Sequence, residues 1–158
     1  MLIKNAKFLA VNTQSNAKNH GFNCISKYRK ADFVSIASRE LQLNYRQKHF
    51  SVQKQLECVI NESNYQTVMV TTGKVGAYAY RKDGSIQWAP AFAKSITDRV
   101  GAGDAVLAIT SLFVYLNAPS ELIVFIANVV GSEAVGIMGN KQSINKVSLC
   151  KHIYHLLK

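Results

Sequence analysis

The stretch Asp98–Asp104, DRVGAGD, is the most informative part of this sequence. Gly101 and Gly103 have no Cβ, so backbone N–H groups in the stretch can approach an anion closely. The apolar residues that follow predict a helix over Gly103–Leu116. The first N–H groups of a helix lack intrahelical partners and carry about half a positive charge. The stretch therefore predicts an anion-binding turn at a helix N-terminus.

Asp104 lies beside this turn, at the start of the predicted helix. A carboxylate there can accept a proton from a hydroxyl while the neighbouring amides hold a phosphoryl group. Phosphoryl transfer requires this combination of a positioned base and donors for the developing charge. The alternative is a Gly-rich helix start with Asp as an ordinary cap, because a bare GxGD occurs often by chance.

Apolar runs elsewhere predict strands that alternate with helices. Thr67–Thr71 (TVMVT) suits a buried parallel strand, and Asp83-Gly84 is a hairpin turn signal. Further strands are expected at Lys7–Asn12, Asp32–Ile36, Ala77–Arg81 and Ile86–Ala89, and helices at His49–Asn61, Ser120–Val135 and Ile144–Leu157, with Ser38 capping another helix near Glu40. This alternation predicts an α/β fold, with a mostly parallel sheet flanked by helices.

Length and charge narrow the classes of function. A chain of 158 residues with 48% apolar residues suits one packed domain. The net charge of +10 favours anionic partners such as phosphates, nucleotides or nucleic acid. The basic residues are scattered and no RNA-binding aromatic motif accompanies them, so nucleic acid is the weaker interpretation. A solvated basic surface explains the charge equally well.

Cysteines and apolar segments indicate the compartment. The sequence contains 3 cysteines, Cys24, Cys58 and Cys150, with no CxxC pair, which favours reduced thiols in a cytoplasmic protein. No signal peptide is expected, since no long apolar core follows the N-terminus. Ala105–Leu116 and Leu122–Val130 are each shorter than the ~20 residues of a membrane span, so no membrane partner is expected.

The stretch 98–104 resembles the DTxGAGD motif of ribokinase-like (PfkB) carbohydrate kinases. The resemblance implies that Asp104 is the catalytic base and that the amides of Gly101, Ala102 and Gly103 form the anion hole. It implies ATP and Mg²⁺ as cofactors, with a monovalent cation as a further one. Arg99 stands where the family usually has a small polar residue, and either binds phosphate or points to solvent.

Other segments extend the resemblance. Thr71–Gly76 resembles the family's TxGxxG segment beside the nucleotide, Ala127-Asn128 its adenine pocket, and Gly136–Gly139 (GIMG) its closing loop. The residues implied for nucleotide binding are Thr71, Gly73, Gly76, Asn128 and Gly139. Asp98 and Glu40 match the metal or cation region, although Ala37 replaces the Asn of the family's NxxE motif.

Within the family the resemblance is closest to heptose-kinase-like domains, including those fused to a cytidylyltransferase-like domain. Val11–Ala17, Gly21–Asn23 and Ala127–Ile144 carry it. In that subgroup the first loop faces the cleft, which makes Asn12, Gln14 and Asn16 candidate contacts to the sugar. A polar loop without a ligand is the alternative.

The resemblance implies that residues 1–158 are the C-terminal, ATP-binding and catalytic part of a kinase domain, without its N-terminal sugar-binding part. We therefore expect an upstream segment, a partner chain or a homodimer to cover an exposed strand edge. The function expected is a phosphotransferase with an alcohol group as acceptor, acting on a sugar and a nucleotide. The alternatives are a non-catalytic nucleotide-binding or interaction fragment and, from charge alone, a nucleic-acid binder.

Overall fold

The computed structural model describes residues 5–14, 21–93, 95–139 and 141–158. The described strands are β1 (Ala10–Val11), β2 (Lys30–Ala37), β3 (Asn64–Thr71), β4 (Ala77–Arg81) and β5 (Ile86–Ala89). The described helices are α1 (Ser38–Asn44), α2 (Val52–Glu62), α3 (Ala102–Tyr115), α4 (Ser120–Val135) and α5 (Lys146–Leu156), with single 3₁₀ turns at Ile25–Lys27 and Gly73–Val75.

The strands form one sheet in the order β1-β2-β3-β4-β5. The first three are parallel, and the hairpin β4–β5 continues the sheet in the antiparallel sense. Helices cover both faces, which confirms the predicted α/β fold. The turn at Asp83-Gly84 lies where its sequence predicts, because Gly84 has a φ of 92° that favours glycine.

Alternation along the central strands produces two separate cores. Val34 of β2 and Val68 of β3 pack on one face, with α1 and α2. Phe33 of β2 and Met69 of β3 point to the other face and pack with α3 and α4. Because the central residues of β2 and β3 are buried on both faces, the sequence there is a mostly apolar run rather than an alternating one.

Two local predictions differ clearly from the structure. The strand expected over Lys7–Asn12 is limited to Ala10–Val11, because only those residues pair with β2, opposite Phe33 and Val34. Ser38 does not cap α1. Ala37 holds that position, and the Ser38 hydroxyl accepts a hydrogen bond from Gln55 Nε2 at 3.0 Å.

The two apolar segments after the Gly-rich turn form α3 and α4, which lie side by side against the sheet. Within the part of the chain that the structure describes, no helix is both long enough and apolar enough to cross a membrane.

Candidate active site

The Gly-rich turn opens α3 one residue earlier than the sequence predicts. Gly101 precedes the helix with a φ of 76°, a left-handed conformation that glycine adopts without strain. Ala102 and Gly103 are therefore the first two helical residues, and Asp104 lies in the first turn. The Ala102 N–H has a long hydrogen bond of 3.4 Å to the Arg99 carbonyl, so it is only weakly held within the chain. Amides of this first turn are suited to an anion.

The loop after β1 lies against this turn. Gln14 Nε2 donates to both carboxylate oxygens of Asp104, at 2.8 Å to each. A Cβ added to Gly103 would be 3.8 Å from Asn12 Nδ2, so that amide lies close to the turn. Two of the three polar residues predicted to face the cleft are thus beside the candidate base. The third, Asn16, lies outside the described residues.

A small cavity of about 190 Å³ opens beside Asp104. Its walls come from the carboxyl ends of the parallel strands and from the start of α3. In open α/β sheets, ligands bind outside these carboxyl ends. The side chains with polar groups in its lining are Asn12, Thr13, Gln14, Ser35, Glu40, Thr71, Arg99 and Asp104.

A much larger cavity, of about 1220 Å³, lies on the other side of the turn. One part of its wall is cationic and rich in glycine, and includes Arg39, Gly73, Lys74 and Gly76. Another part is apolar and includes Phe92, Ala127 and Val135. Apolar walls with a few placed polar groups are typical of sites for small molecules.

The two cavities share part of their lining. Ala37, Thr71, Arg99 and Gly103 line both of them. The Gly-rich turn therefore forms a boundary, with Asp104 on the side of the smaller cavity. This arrangement brings together Thr71, which ends β3, and the turn at the start of α3.

The TxGxxG-like segment, Thr71–Gly76, also has residues that stabilise the local backbone structure. The Thr72 hydroxyl and N–H both donate to the Gly76 carbonyl, at 2.7 and 2.8 Å. Gly76 has a φ of 127°, and a Cβ there would lie 2.1 Å from the Ala89 carbonyl oxygen. Only glycine allows the backbones to approach so closely.

Asn128 lies on α4 and lines the larger cavity. Its Nδ2 donates to the Ala89 carbonyl at 3.0 Å and to the Val124 carbonyl at 2.8 Å. The amide thus ties α4 to the end of β5. A contact between Asn128 and a nucleotide base stays a prediction.

Asp98 and Gly139 contact each other instead of lining either cavity in the described part of the chain. The carboxylate of Asp98 accepts from the N–H of Val100 at 3.0 Å and from the N–H of Gly139 at 2.9 Å. These bonds, the one from Val100 first, lower the pKa of Asp98. A role of Asp98 in cation binding stays a prediction.

Glu40 lies in the first turn of α1, and one of its oxygens accepts the N–H of Ala37 at 3.1 Å. This bond orients the carboxylate toward the strand end where it lines the smaller cavity. Magnesium is usually held by one or two carboxylates together with substrate phosphates. The described residues contain no group of three His, Cys, Asp or Glu side chains that could hold a metal ion. A role of Glu40 in binding Mg²⁺ stays a prediction.

Sequence reasoning missed two features of the site. Arg39 lines the larger cavity and was not singled out, although it lies within the NxxE-like segment that ends at Glu40. Ser35 is 3% exposed and lines the smaller cavity, and a serine within the otherwise apolar run Phe33–Ala37 was a usable signal.

Comparison with known families decides the assignment. The model of the pfkB family of carbohydrate kinases matches residues 2–146. This chain belongs to the pfkB family. No curated protein matches the chain significantly.

Solved structures with the same fold include sugar kinases. Phosphofructokinase-2 from Escherichia coli, in complex with potassium, matches with a TM-score of 0.75 and 19% identity, over 94% of this chain and 47% of that one. Ribokinase from Arabidopsis thaliana, complexed with ribose and ATP, matches with a TM-score of 0.68 and 18% identity, over 78% of this chain and 41% of that one. At such identities the similarity shows the fold, and this pfkB chain spans less than half the length of both structures.

Proposed function

We propose that this pfkB chain is the catalytic part of an ATP-dependent carbohydrate kinase, which transfers a phosphoryl group to a hydroxyl of a sugar or sugar phosphate. One observation carries the proposal: two cavities of unequal size meet at the Gly-rich turn, and Asp104 lies on the smaller side. A reaction with two substrates needs two sites that meet at the atoms exchanged. The family assignment supports the same chemistry.

In the proposed reaction, Asp104 accepts the proton of the acceptor hydroxyl. The hydroxyl oxygen forms a bond to the γ-phosphorus, and the bond from that phosphorus to the oxygen of the leaving ADP breaks. The amides of Gly101, Ala102 and Gly103 stabilise the charge on the transferring group, helped by the N-terminus of α3. The protein contributes mainly positioning and electrostatics.

We assign ATP to the larger cavity. Its phosphates would lie near Thr71, Gly73, Lys74 and Arg99, where cations and free backbone favour anions. The adenine base of ATP would lie toward the apolar wall that includes Phe92. Asn128 and the segment ending at Gly139 would close the far side, as the family resemblance implies.

Bound Mg²⁺ would neutralise phosphate charge, with Glu40 as its protein carboxylate. Asp98 belongs to the region where the family resemblance expects a monovalent cation. Each Asp98 oxygen accepts one backbone N–H group, so the carboxylate is held in place and would contribute its negative charge to that region.

We further propose that the acceptor site is completed by structure beyond this chain, either an upstream part of the same protein, a partner chain or a second copy. The solved structures that it matches are about twice as long. Leu112 and Tyr115 on α3 and Leu116 just after it are 61, 64 and 76% exposed, and β1 is the edge strand among the strands that the structure describes. Covering such a surface stabilises the protein. Gel filtration that gives a stable monomer would count against this proposal.

Specificity for a heptose, as in the subgroup that the sequence resembles, is the finer proposal. A panel of free and phosphorylated hexoses and heptoses tests it directly. Turnover restricted to hexoses would contradict the heptose assignment and leave the kinase assignment intact.

The Asp104→Asn variant tests the catalytic proposal. Asn has nearly the same size but cannot accept the proton, so we expect phosphoryl transfer to fall at least 100-fold. ATP affinity, measured by titration calorimetry, should stay within about twofold, because Asp104 lies on the side of the smaller cavity. Asp83→Asn, in the β4–β5 turn, is the matched control. Wild-type turnover by the Asp104→Asn variant would contradict the assignment of Asp104 as the catalytic base.

A non-catalytic nucleotide-binding fragment is the second candidate. The observation in its favour is that Asp104 and Gln14 are both exposed, so water has free access to the base. It predicts that ATP binds with an affinity like that of kinases, without transfer to any sugar of the panel.

A further inference from the structure

The contact between Gln14 and Asp104 joins residues that are 90 positions apart in the chain. Gln14 Nε2 lies 2.8 Å from each oxygen of the Asp104 carboxylate. A side-chain amide nitrogen carries two hydrogens, and an ionised carboxylate has about four lone-pair sites. The contact therefore uses only part of the accepting capacity of Asp104, and leaves the rest for a substrate hydroxyl.

Gln14 follows directly after a buried residue, although its own side chain is exposed. Thr13 is 2% exposed and anchors the segment that continues from β1. The neighbours of Thr13 in the chain, Asn12 and Gln14, both reach the start of α3. A single buried residue thus presents two amides to the Gly-rich turn.

We propose that Gln14 is a positioning residue for Asp104: its amide holds the carboxylate plane so that the remaining lone pairs face the smaller cavity. The inference rests on the proposed function, in which Asp104 is the base. Gln14 takes no part in the bonds that form or break. It acts by reducing the orientations that the carboxylate adopts before the acceptor hydroxyl arrives.

The alternative is that Gln14 only fastens the loop after β1 to α3. The two roles differ in what they change. A fastening contact affects stability, and its loss should alter the binding of both substrates. A positioning contact affects kcat, leaves KM for ATP unchanged, and depends entirely on Asp104.

Substitutions at position 14 separate the N–H donor from the shape of the side chain. Gln14→Met keeps nearly the same length without a donor, and Gln14→Glu keeps the shape but places a second carboxylate beside Asp104. We expect kcat to fall roughly tenfold in Gln14→Met and further in Gln14→Glu, with KM for ATP unchanged. Gln53→Met, at an exposed position of α2, is the control and should match wild type.

The double variant Gln14→Met with Asp104→Asn provides the decisive kinetic comparison. If Gln14 acts only through Asp104, adding Gln14→Met to Asp104→Asn should cause no further loss of kcat. An additional tenfold loss in that background would overturn the proposal.

A measurement without turnover tests the contact itself. In the ¹⁵N–¹H spectrum of the full chain, the side-chain NH₂ resonances of Gln14 should move in the Asp104→Asn variant, while those of Gln53 stay in place. Unmoved Gln14 resonances would overturn the proposal. Moved resonances together with wild-type turnover of Asp104→Asn would support the contact and reject Asp104 as the base, so the two failures are distinguishable.

Discussion

Asp98 accepts a hydrogen bond of 2.9 Å from the backbone N–H of Gly139, which is 41 residues further along the chain. A second bond, from the Val100 N–H, holds the same carboxylate at the entry to the Gly-rich turn. Asp98 therefore connects the turn at the start of α3 with the segment after α4. The two segments should move together.

The Asp98→Asn variant should lose stability at neutral pH, because the amide that replaces the carboxylate has only one accepting oxygen. The pKa of Asp98 is lowered from its ordinary value of 3.8 by the N–H groups of Val100 and Gly139. Its carboxylate therefore stabilises the fold above that value, and the contribution disappears as the pH falls through the lower pKa of the folded state. Thermal melts between pH 7 and pH 3 should show the variant and wild type converging in acid.

Asp83→Asn is the control for this experiment. The pKa of Asp83 is lowered too, chiefly by a hydrogen bond with Ser85, but its turn lies at the far end of the β4–β5 hairpin. Both variants should show the acid convergence, and only Asp98→Asn should weaken ATP binding. Equal ATP affinities in the two variants would show that the link from Asp98 to Gly139 does not shape the nucleotide site.

Gly76→Ala should destabilise the chain strongly. The added Cβ would lie 2.1 Å from the Ala89 carbonyl oxygen, at a φ of 127° that side chains rarely adopt. Strain and overpacking together predict a loss of about 2–5 kcal/mol in the free energy of unfolding, measured by urea denaturation. Gly73→Ala is the matched control. The φ of Gly73 is 64°, but an added Cβ would meet nothing within 4 Å. The free energy of unfolding should therefore fall by only about 1 kcal/mol. Similar losses at the two positions would contradict the proposed clash.

Arg99→Ala should weaken ATP binding. Arg99 lines both cavities, so its guanidinium can reach the phosphate that is transferred. Because the side chain is exposed, solvent screens its charge, and we expect a loss of about 1 kcal/mol, roughly fivefold in Kd. Titration calorimetry at low and high salt measures this loss of ATP affinity.

The control is Arg29→Ala, just before the start of β2 and at the opposite end of that strand from the cavities, which should bind ATP like wild type. Unchanged affinity in Arg99→Ala would mean that Arg99 points to solvent.

Much of the fold could be predicted because its signals are local. Ser120–Val135 was predicted with the same bounds as α4, and the Asp83-Gly84 turn identified the β4–β5 hairpin. Both signals lie within a few residues of the structure that they specify. The length of β1 was overestimated, since pairing with β2 depends on residues more than twenty positions away.

The candidate site also combines features that local sequence predicts with features that depend on distant residues. The turn around Asp104 was predicted because glycines and an apolar helix adjoin it in sequence. The contact from Gln14 could not be predicted, because no local pattern encodes a pairing across 90 positions. The prediction that Ser38 caps a helix was wrong for a related reason. Its partner, Gln55, comes from the next helix, and a tertiary contact replaced the local cap.

The shortness of β1 has a consequence for dynamics. In the described part of the chain, this edge strand pairs with the sheet through Ala10 and Val11, and Gln14 follows three residues later. Short edge strands belong to the parts of a protein that open locally before the whole molecule unfolds. The environment of Asp104 therefore depends on a local opening equilibrium. An acceptor that binds beside Asp104 should slow amide hydrogen exchange in β1 while leaving the rate in β3 unchanged.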